Sequence, residues 1–366
     1  MSILKAFSRV FPPPRFMTLP NVGVDISDAS LKYVQFRGAG HRLTLESWGD
    51  MPIVAETVAR GTVVNKDALV SVLKDLRRRL HTEFVRVSLP EERAYLFETT
   101  LDRGVEASAI RSMIEFHLEE NVPLAPREAL FDYTVVGRDA VTGGARVSVA
   151  VYARDTITGY YESYREAGFY PLSFEVEAQA VARAIIPSGH TGTHMIVDFG
   201  HTRTGIGIVH NGVLMFTSTI EIGGVHISDA MRRSLGAIDE KEITRIKNEQ
   251  GLLRSSEGGD EVVKAIVASI ASLKDELNIR INYWNLRSEG SKGRTIDKVI
   301  LCGGSANLAG LTEYLTEELE VSTERAAVWQ NAFLFSEEIP PIGRAHSYGY
   351  ATAIGLALTD FLKNHD

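Results

Sequence analysis

The chain has 366 residues, 44% of them hydrophobic and 23% charged, which is the balance of a folded globular protein rather than a disordered one. Its 39 basic and 47 acidic side chains leave a formal charge of −8, which argues against a broad nucleic-acid footprint. The single cysteine, Cys302, excludes a disulfide framework and thiolate zinc clusters and suits a reducing compartment. No apolar run approaches the ~18–20 residues that span a bilayer, so no transmembrane segment is expected.

Residues 1–20 carry Lys5, Arg9 and Arg15 and no acid, with Ile3, Leu4, Phe7, Val10 and Phe11 at helical spacing. Lys5 and Arg9 interrupt any apolar stretch of a cleaved signal peptide. Two readings stand: a basic amphipathic segment resting on an anionic membrane or a partner, or a frayed end stopped by Pro12, Pro13 and Pro14. Val22, Val24 and Ile26 then alternate, and Leu31, Tyr33, Val34 and Phe36 follow, which predicts two strands around a tight turn. Residues 66–81 place Leu69, Val72, Leu73, Leu76 and Leu80 on one helical stripe, and residues 85–89 read as a short strand. A helix is expected over 105–121, stopped by Pro123 and Pro126. Paired strands over 131–136 and 145–152 turn at Gly143-Gly144, and a helix over 155–168 ends at Gly168.

The second half opens on Met195, Ile196 and Val197 running into Asp198, with a returning strand at 206–209. Asn211-Gly212 signals a hairpin into a third strand over 214–220. Helices occupy 225–287, where Val262, Val263, Ile266, Ile270, Leu273, Leu277, Ile281 and Trp284 form the longest stripe. A buried strand over 298–301 turns at Gly303-Gly304 into a helix over 308–319, and a helix over about 347–363 closes the chain. Val24-Asp25-Ile26 and Val197-Asp198-Phe199 each end a strand in an aspartate and lead through a turn into a second strand. Two such units, each with helices behind, predict a duplicated α/β architecture with a cleft between the halves.

Three turns carry the chemistry. The first, Asp25-Ile26-Ser27-Asp28-Ala29-Ser30-Leu31-Lys32, offers backbone N–H groups and hydroxyls to phosphate oxygens, a positive charge at Lys32, and at Asp25 a carboxylate able to hold Mg²⁺ through water. The second, Asp198-Phe199-Gly200-His201-Thr202-Arg203-Thr204-Gly205, gives close backbone approach at Gly200 and hydroxyls at Thr202 and Thr204. Either alone also reads as an ordinary hairpin. Together, with Asp198 mirroring Asp25, they point to a magnesium-nucleotide clamped between two lobes. In the third, Leu301-Cys302-Gly303-Gly304-Ser305, paired glycines let adenine or ribose lie against the backbone, and Cys302 reads as a buried hydrophobe. Gly223-Gly224 is either a plain loop pair or a support for the nucleotide from the other side. Glu175 and Glu177 are either exposed helix-start acids or a carboxylate that orients water toward a γ-phosphate. His190 and His194 fall in a Gly/Thr-rich linker, against a zinc site.

These segments together resemble the PilM family, the cytoplasmic actin-like component of type IV pilus assembly, related more distantly to the division protein FtsA. The resemblance covers nearly the whole chain after residue 20. It rests on Val22-Gly23-Val24-Asp25-Ile26 with Ser30-Leu31-Lys32, Ile114-Glu115-Phe116 through Pro123 to Asp132-Tyr133, and Ala167-Gly168-Phe169 running to Glu177-Ala178. It continues through Val197-Asp198-Phe199-Gly200, Glu221-Ile222-Gly223-Gly224, Ile246-Lys247, and Leu301-Cys302-Gly303-Gly304 with Leu308 and Gly310-Leu311.

The resemblance implies an actin-like, ribonuclease H-like fold: a first lobe over 21–190 with an inserted subdomain at about 85–165, and a second lobe over 191–366. It implies ATP or ADP with Mg. Asp25, Ser30 and Lys32, with Ser27 in place of the family's glycine, would form the first phosphate site. Asp198, Gly200, Thr202 and Thr204 would form the second, with Gly223 and Gly224 nearby. Lys247 and the turn Gly303-Gly304-Ser305 would border ribose and adenine, and Glu177 would orient water. It further implies a location on the cytoplasmic face of the inner membrane and contact with the N-terminal cytoplasmic peptide of a PilN-like membrane protein. Other pilus assembly proteins and self-association are further implied contacts. An ATPase or small-molecule kinase and an FtsA-like filament former are the alternatives; at most a slow ATPase is expected. The chain departs from the family at Asp28, which would repel phosphate unless it turns to water, at Thr244, and at His201 and Arg203; Arg203 is expected to meet phosphate.

Overall fold

The computed structural model describes residues 21–39, 42–139, 142–236, 238–253, 260–287, 294–336 and 338–362. The basic N-terminal segment lies outside the described residues. Strands β1 (Val22–Ile26), β2 (Ser30–Ala39) and β3 (Arg42–Pro52) form an antiparallel meander. Val22, Val24 and Ile26 are all buried because β1 lies inside its sheet and both its faces are covered. A short hairpin, β4 (Val58–Ala59) with β5 (Thr62–Val63), leads to α1 (Lys66–Arg79). The Asn65 side chain accepts from the Ala68 N–H at 3.0 Å to start this helix, and Leu69, Val70, Leu73 and Leu76 face inward. Strand β6 (Phe84–Leu89) then runs parallel beside β1.

Between β6 and its next neighbour the chain builds a separate unit: β7 (Tyr95–Leu101), α2 (Ala107–Asn121), β8 (Ala129–Arg138) and β9 (Ala145–Ala153). Its sheet, in order β7-β9-β8, and α2 enclose their own core of Phe97, Leu101, Ile114, Leu118, Val147, Val149 and Val151. Helix α3 (Arg154–Glu166), strand β10 (Tyr170–Val176) and helix α4 (Glu177–Ile185) complete the half, and the main sheet reads β10-β6-β1-β2-β3.

The second half repeats the plan. Strands β11 (Thr193–Phe199), β12 (Thr204–His210) and β13 (Val213–Ile220) form another antiparallel meander. Helices α5 (Gly224–Leu235), α6 (Glu240–Glu249) and α7 (Asp260–Arg287) follow. Strand β14 (Lys298–Cys302), helix α8 (Leu311–Leu319) and strand β15 (Thr323–Arg325) give a sheet in the order β13-β12-β11-β14-β15. In each sheet the aspartate-tipped strand has an antiparallel neighbour on one side and a parallel one on the other. The chain then runs through α9 (Arg344–Ser347), α10 (Ala351–Ala357) and α11 (Thr359–Leu362). The single closing helix expected over 347–363 is thus broken into pieces, separated by a 3₁₀ turn at Tyr348–Tyr350. The Tyr348 carbonyl accepts from the Gly303 N–H at 3.0 Å, which turns it toward the second sheet. Strands β3, β7 and β10 were not anticipated, although β3 alternates between inward and outward positions along its length.

Two short helices cross at the centre. Helix α4 leaves the first sheet and lies against β11, β12 and β13, while α10 leaves the second half and lies against β1, β2 and β6. Glycines let the backbones approach. A Cβ at Gly23 of β1 would stand 2.2 Å from the Ala353 carbonyl oxygen of α10, and one at Gly207 of β12 would stand 2.6 Å from the Ala178 Cβ of α4. Where α4 meets α10, a Cβ at Gly355 would fall 1.7 Å from the Ala180 carbonyl oxygen. A methyl there overlaps backbone, which no rotamer change relieves. Gly355→Ala is therefore expected to lower stability by about 3 kcal/mol in urea unfolding. Gly343→Ala, with open space at the added carbon, is the control and should stay within about 0.5 kcal/mol of the parent.

Candidate functional site

The two sheets present their aspartate-tipped strands to one cavity of about 540 Å³. Asp25 and Asp198 both line it, as do Ser27, Ser30, Lys32, Glu177, Gly200, Thr202, Gly303 and Gly304. The first turn is closed by its own hydroxyls. The Ser27 N–H donates to the Ser30 carbonyl at 2.9 Å, and the Ser27 hydroxyl to the same carbonyl at 3.0 Å. Lys32 Nζ donates to the Ser30 hydroxyl at 2.6 Å and stands 3.8 Å from Asp50. Strand β6 supplies the Ser88 hydroxyl, which donates to Asp25 Oδ1 at 2.8 Å. On the facing side, Gly303 takes φ +83°, and a Cβ there would stand 2.3 Å from Asp198 Oδ1, so the tip of β14 passes the aspartate only as glycine. Beyond it a Cβ at Gly304 would meet nothing within 4 Å, leaving room for a flat ligand against the backbone.

Five of the residues expected in the site do not line the cavity, and each has a structural reason. Thr204 is fully buried and its hydroxyl donates to the Ile222 carbonyl at 2.6 Å. Ser305 turns its hydroxyl to the Gly200 carbonyl at 2.8 Å, pinning the second turn from behind. Gly223 and Gly224 pack against the back of the second and third turns, where a Cβ would stand 2.5 Å from the His201 carbonyl oxygen and 2.2 Å from the Ser305 hydroxyl. Lys247 donates to the Ser228 hydroxyl at 2.9 Å, while its neighbours on α6, Thr244 and Asn248, reach the cavity instead. Arg203, expected at phosphate, lies 2.9 Å from both Asp28 and Glu92. Glu175 does not face the cavity and pairs with Arg183. Cys302 is buried and its thiol is pushed well above its usual range by burial, as a core residue's would be. The His190 and His194 rings lie tilted with centroids 5.0 Å apart, and among the described residues no group of His, Cys, Asp or Glu side chains is placed to chelate a metal ion.

The cavity also holds residues that sequence reasoning missed. Glu91, in the turn after β6, hydrogen-bonds the Glu177 carboxyl and lies close enough to β12 that a Cβ on Gly205 would stand 3.1 Å from it. Its position just past the carboxyl end of a parallel strand, where open α/β sheets place ligands, was the available signal. Asn307 ties the third turn to α9, donating to the Gly304 and Ala345 carbonyls at 3.0 and 2.8 Å, and His346 and Asn248 line the same wall.

Acid groups crowd this space. Burial raises the Asp25 carboxyl, against the pull of Lys32 and of the Ser88 hydroxyl. Burial, then the charge of Glu91, drives Glu177 well above the carboxylate range, and burial raises Glu91 in turn. Asp198 is lifted to about 7, chiefly by burial, with Glu91 and Asp25 adding to it. Two facing carboxylates that resist ionisation, beside serine hydroxyls, open glycine turns and a lysine, suit a polyphosphate whose charge is balanced by a divalent cation. With no direct chelating cluster among the described residues, the fit is to a cation held through water and phosphate.

A second cavity, about 290 Å³, lies between the three-stranded sheet and the first main sheet. It is lined by Leu130, Phe131 and Tyr133 of β8, by Phe174 and Val176 of β10, and by Ala150, Gln179 and Leu214. Strands β8 and β10 are each terminal in their sheets, so the groove runs between two open strand edges.

A duplicated sheet whose two aspartate-tipped strands meet at one cleft defines an actin-like protein. The profile of the family described as type IV pilus assembly protein PilM matches residues 23–361, and the chain belongs to that family. It is similar to a solved PilM–PilN type IV pilus biogenesis complex at 20% identity and a TM-score of 0.75, covering 95% of this chain and 99% of the other. The actin-like fold is shared with MreB5 of Spiroplasma citri bound to ADP, at 13% identity, a TM-score of 0.56 and coverage of 94% and 98%. It is shared also with the ethanolamine utilization protein EutJ from Carboxydothermus hydrogenoformans, at 17% identity, a TM-score of 0.53 and coverage of 95% and 90%. Among the described residues no helix is long and apolar enough to cross a membrane.

The raised acids set a pH dependence. Asp198 moves from 3.8 to about 7 on folding, so over that interval the folded chain holds a proton that the unfolded chain has lost. Stability therefore falls as pH rises from about 4 to about 7, and Asp25, Glu91 and Glu177 act in the same sense. Asp198→Asn should flatten this slope and be the more stable protein at about pH 8 by on the order of 2 kcal/mol, read from urea midpoints across the range.

Proposed function

We propose that this protein is a nucleotide-binding assembly scaffold of a type IV pilus or a related secretion platform. In this reading Asp25 and Asp198 straddle the phosphates of ATP or ADP and hold Mg²⁺ through water. Ser27, Ser30 and Lys32 hold one side of the phosphates, and Gly200 and Thr202 hold the other. Gly303 and Gly304 border the nucleoside. The single observation that carries it is the convergence of both aspartate tips on one cleft, in a chain of the PilM family. The nucleotide supplies a charge that both lobes can share, so its arrival changes the relative weight of open and closed lobes.

The groove between β8 and β10 is the docking place we assign to the N-terminal cytoplasmic peptide of a PilN-like inner-membrane protein. A solved relative is a PilM–PilN complex, and the groove here offers apolar pockets beside unpaired backbone edges, the chemistry that captures an extended peptide. Such a contact would hold the protein at the inner-membrane face. Other pilus assembly proteins and further copies of the chain remain open as contacts of the remaining surface.

Hydrolysis is expected to be slow. A carboxylate that is to take the attacking water's proton must be ionised, and Glu177 is held toward its protonated form by burial and by Glu91. A kinase would also need an ionised base at a second substrate's hydroxyl, and the acids of this cleft are raised for the same reason.

Mg-ATP is expected to raise the melting temperature of the parent by mass action, and Asp198→Ala to abolish that shift; an unchanged shift in the variant removes Asp198 from the site. Steady-state phosphate release should stay below about 1 s⁻¹. The synthetic N-terminal peptide of the PilN-like protein should bind saturably by fluorescence anisotropy, and Ala150→Trp, which adds an indole to the groove lining, should weaken it at least about tenfold while melting is kept. Saturable binding that ignores the tryptophan would move the peptide to another surface.

A further inference from the structure

Arg203 does not reach into the cleft as a free cation. Its Nη1 donates to Asp28 Oδ2 at 2.9 Å and stands 2.9 Å from Glu92 Oε1. The three side chains are only 17%, 27% and 11% exposed, in the order Arg203, Asp28, Glu92. Asp28 belongs to the turn after β1 and Glu92 to the turn after β6, whereas Arg203 belongs to the turn before β12. The contact thus joins the two halves, and Asp28 and Arg203 both line the cavity between the aspartate tips.

We propose that Asp28 and Glu92 occupy Arg203 in place of a phosphate, so that a polyphosphate must take the guanidinium from them before it seats. The proposal rests on the reading of the cleft as a nucleotide site. A guanidinium accepts carboxylate and phosphate with the same planar fork, which makes the exchange one of like for like. The resting bridge is incompletely satisfied: Asp28 Oδ1 is buried without a hydrogen-bond donor, and Glu92 Oε1 meets the guanidinium without an aligned hydrogen bond. The charge balance makes the arginine worth competing for. Lys32 and Arg203 face the acids Asp25, Asp28, Asp50, Glu91, Glu177 and Asp198 in this cavity, so a committed Arg203 leaves little positive charge for an incoming anion. Asp28 is then the residue that sets how strongly the cleft takes polyphosphate. It holds the lobes together when nucleotide is absent, and nucleotide replaces that link with its own.

The test measures binding of Mg-ATP and of AMP by isothermal titration to the full chain, to Asp28→Asn, and to Asp28→Asn combined with Arg203→Ala. The expected result is that Asp28→Asn tightens Mg-ATP about tenfold or more, changes AMP less than about twofold, and loses the gain once Arg203 is removed. Parent binding that Asp28→Asn leaves unchanged or weakens would overturn the competition while leaving the nucleotide reading intact. A gain that persists without Arg203 would also overturn it, because Asp28 would then act by plain repulsion. If neither the parent nor Asp28→Asn binds Mg-ATP, the nucleotide reading itself fails and this inference with it. Asp28→Ala repeats the series should the asparagine variant fold poorly, judged by its melting curve.

Discussion

The contact between α4 and α10 is the constraint on which the rest depends. Each helix belongs by chain order to one half and packs on the sheet of the other, so one core is shared by both halves beside the second half's own core of Met195, Ile266 and Leu301. The crossing is made at Ala180 and Gly355, and each helix is let down onto its sheet where glycine or alanine keeps the backbones close, at Gly23 under α10 and at Gly207 under α4. Small residues at a crossing bring the sheets near enough for the tips of β1 and β11 to face one cavity, and they leave the turns beyond the tips free to carry polar groups. A bulkier crossing would separate those tips, and the chemistry of the cleft would be lost without any change to the residues that line it.

That geometry forces an electrostatic cost. Asp25, Glu91, Glu177 and Asp198 are brought into one partly buried volume, and their carboxyls are all raised, Asp198 to about 7, because charge there is poorly solvated and mutually repelled. A stable fold has no need of such a cluster. Local arrangements that oppose folding concentrate where a ligand will later satisfy them, and a divalent cation with its phosphates is the chemistry that would do so here. The same reasoning explains why Glu177 would make a poor base: burial, and then the charge of Glu91, oppose its ionisation.

Much of the architecture was legible in the residues. The echo between Val24-Asp25-Ile26 and Val197-Asp198-Phe199 anticipated two sheets of one plan, since an aspartate at the end of an apolar strand has a local signature independent of the partner strands. Strand β10 carries no clean alternation, whereas β3 does alternate, with Leu43 and Leu45 as its signal; the last helix is shorter than its pattern suggests because the hydrogen bond from Gly303 to the Tyr348 carbonyl is a contact across some 45 positions of chain. In the cleft, backbone-defined positions such as Gly200, Gly303 and Gly304 were readable from turn chemistry. Thr204, Ser305 and Lys247 were not, because the direction of a side chain is decided by its tertiary partners: the Ile222 and Gly200 carbonyls and the Ser228 hydroxyl. Glu91 escaped for the opposite reason, since its role arises only when β6 is placed beside β1.

Arg203 and Asp28 show how this affects function. Taken one at a time, each is a defect or a gain: an acid in a phosphate turn repels the ligand, and an arginine in its counterpart attracts it. Brought face to face, they cancel as ligands and become a link between the lobes, supported by Glu92. The crossing of α4 and α10 joins the halves through small apolar residues, and both helices reach the cleft, α4 at Glu177 and α10 at Thr352. The ion pair joins the same halves through charged groups that line the cleft itself. On the proposed reading, a small charged ligand acts on the halves through the exchangeable pair, because the apolar crossing offers an anion no partner.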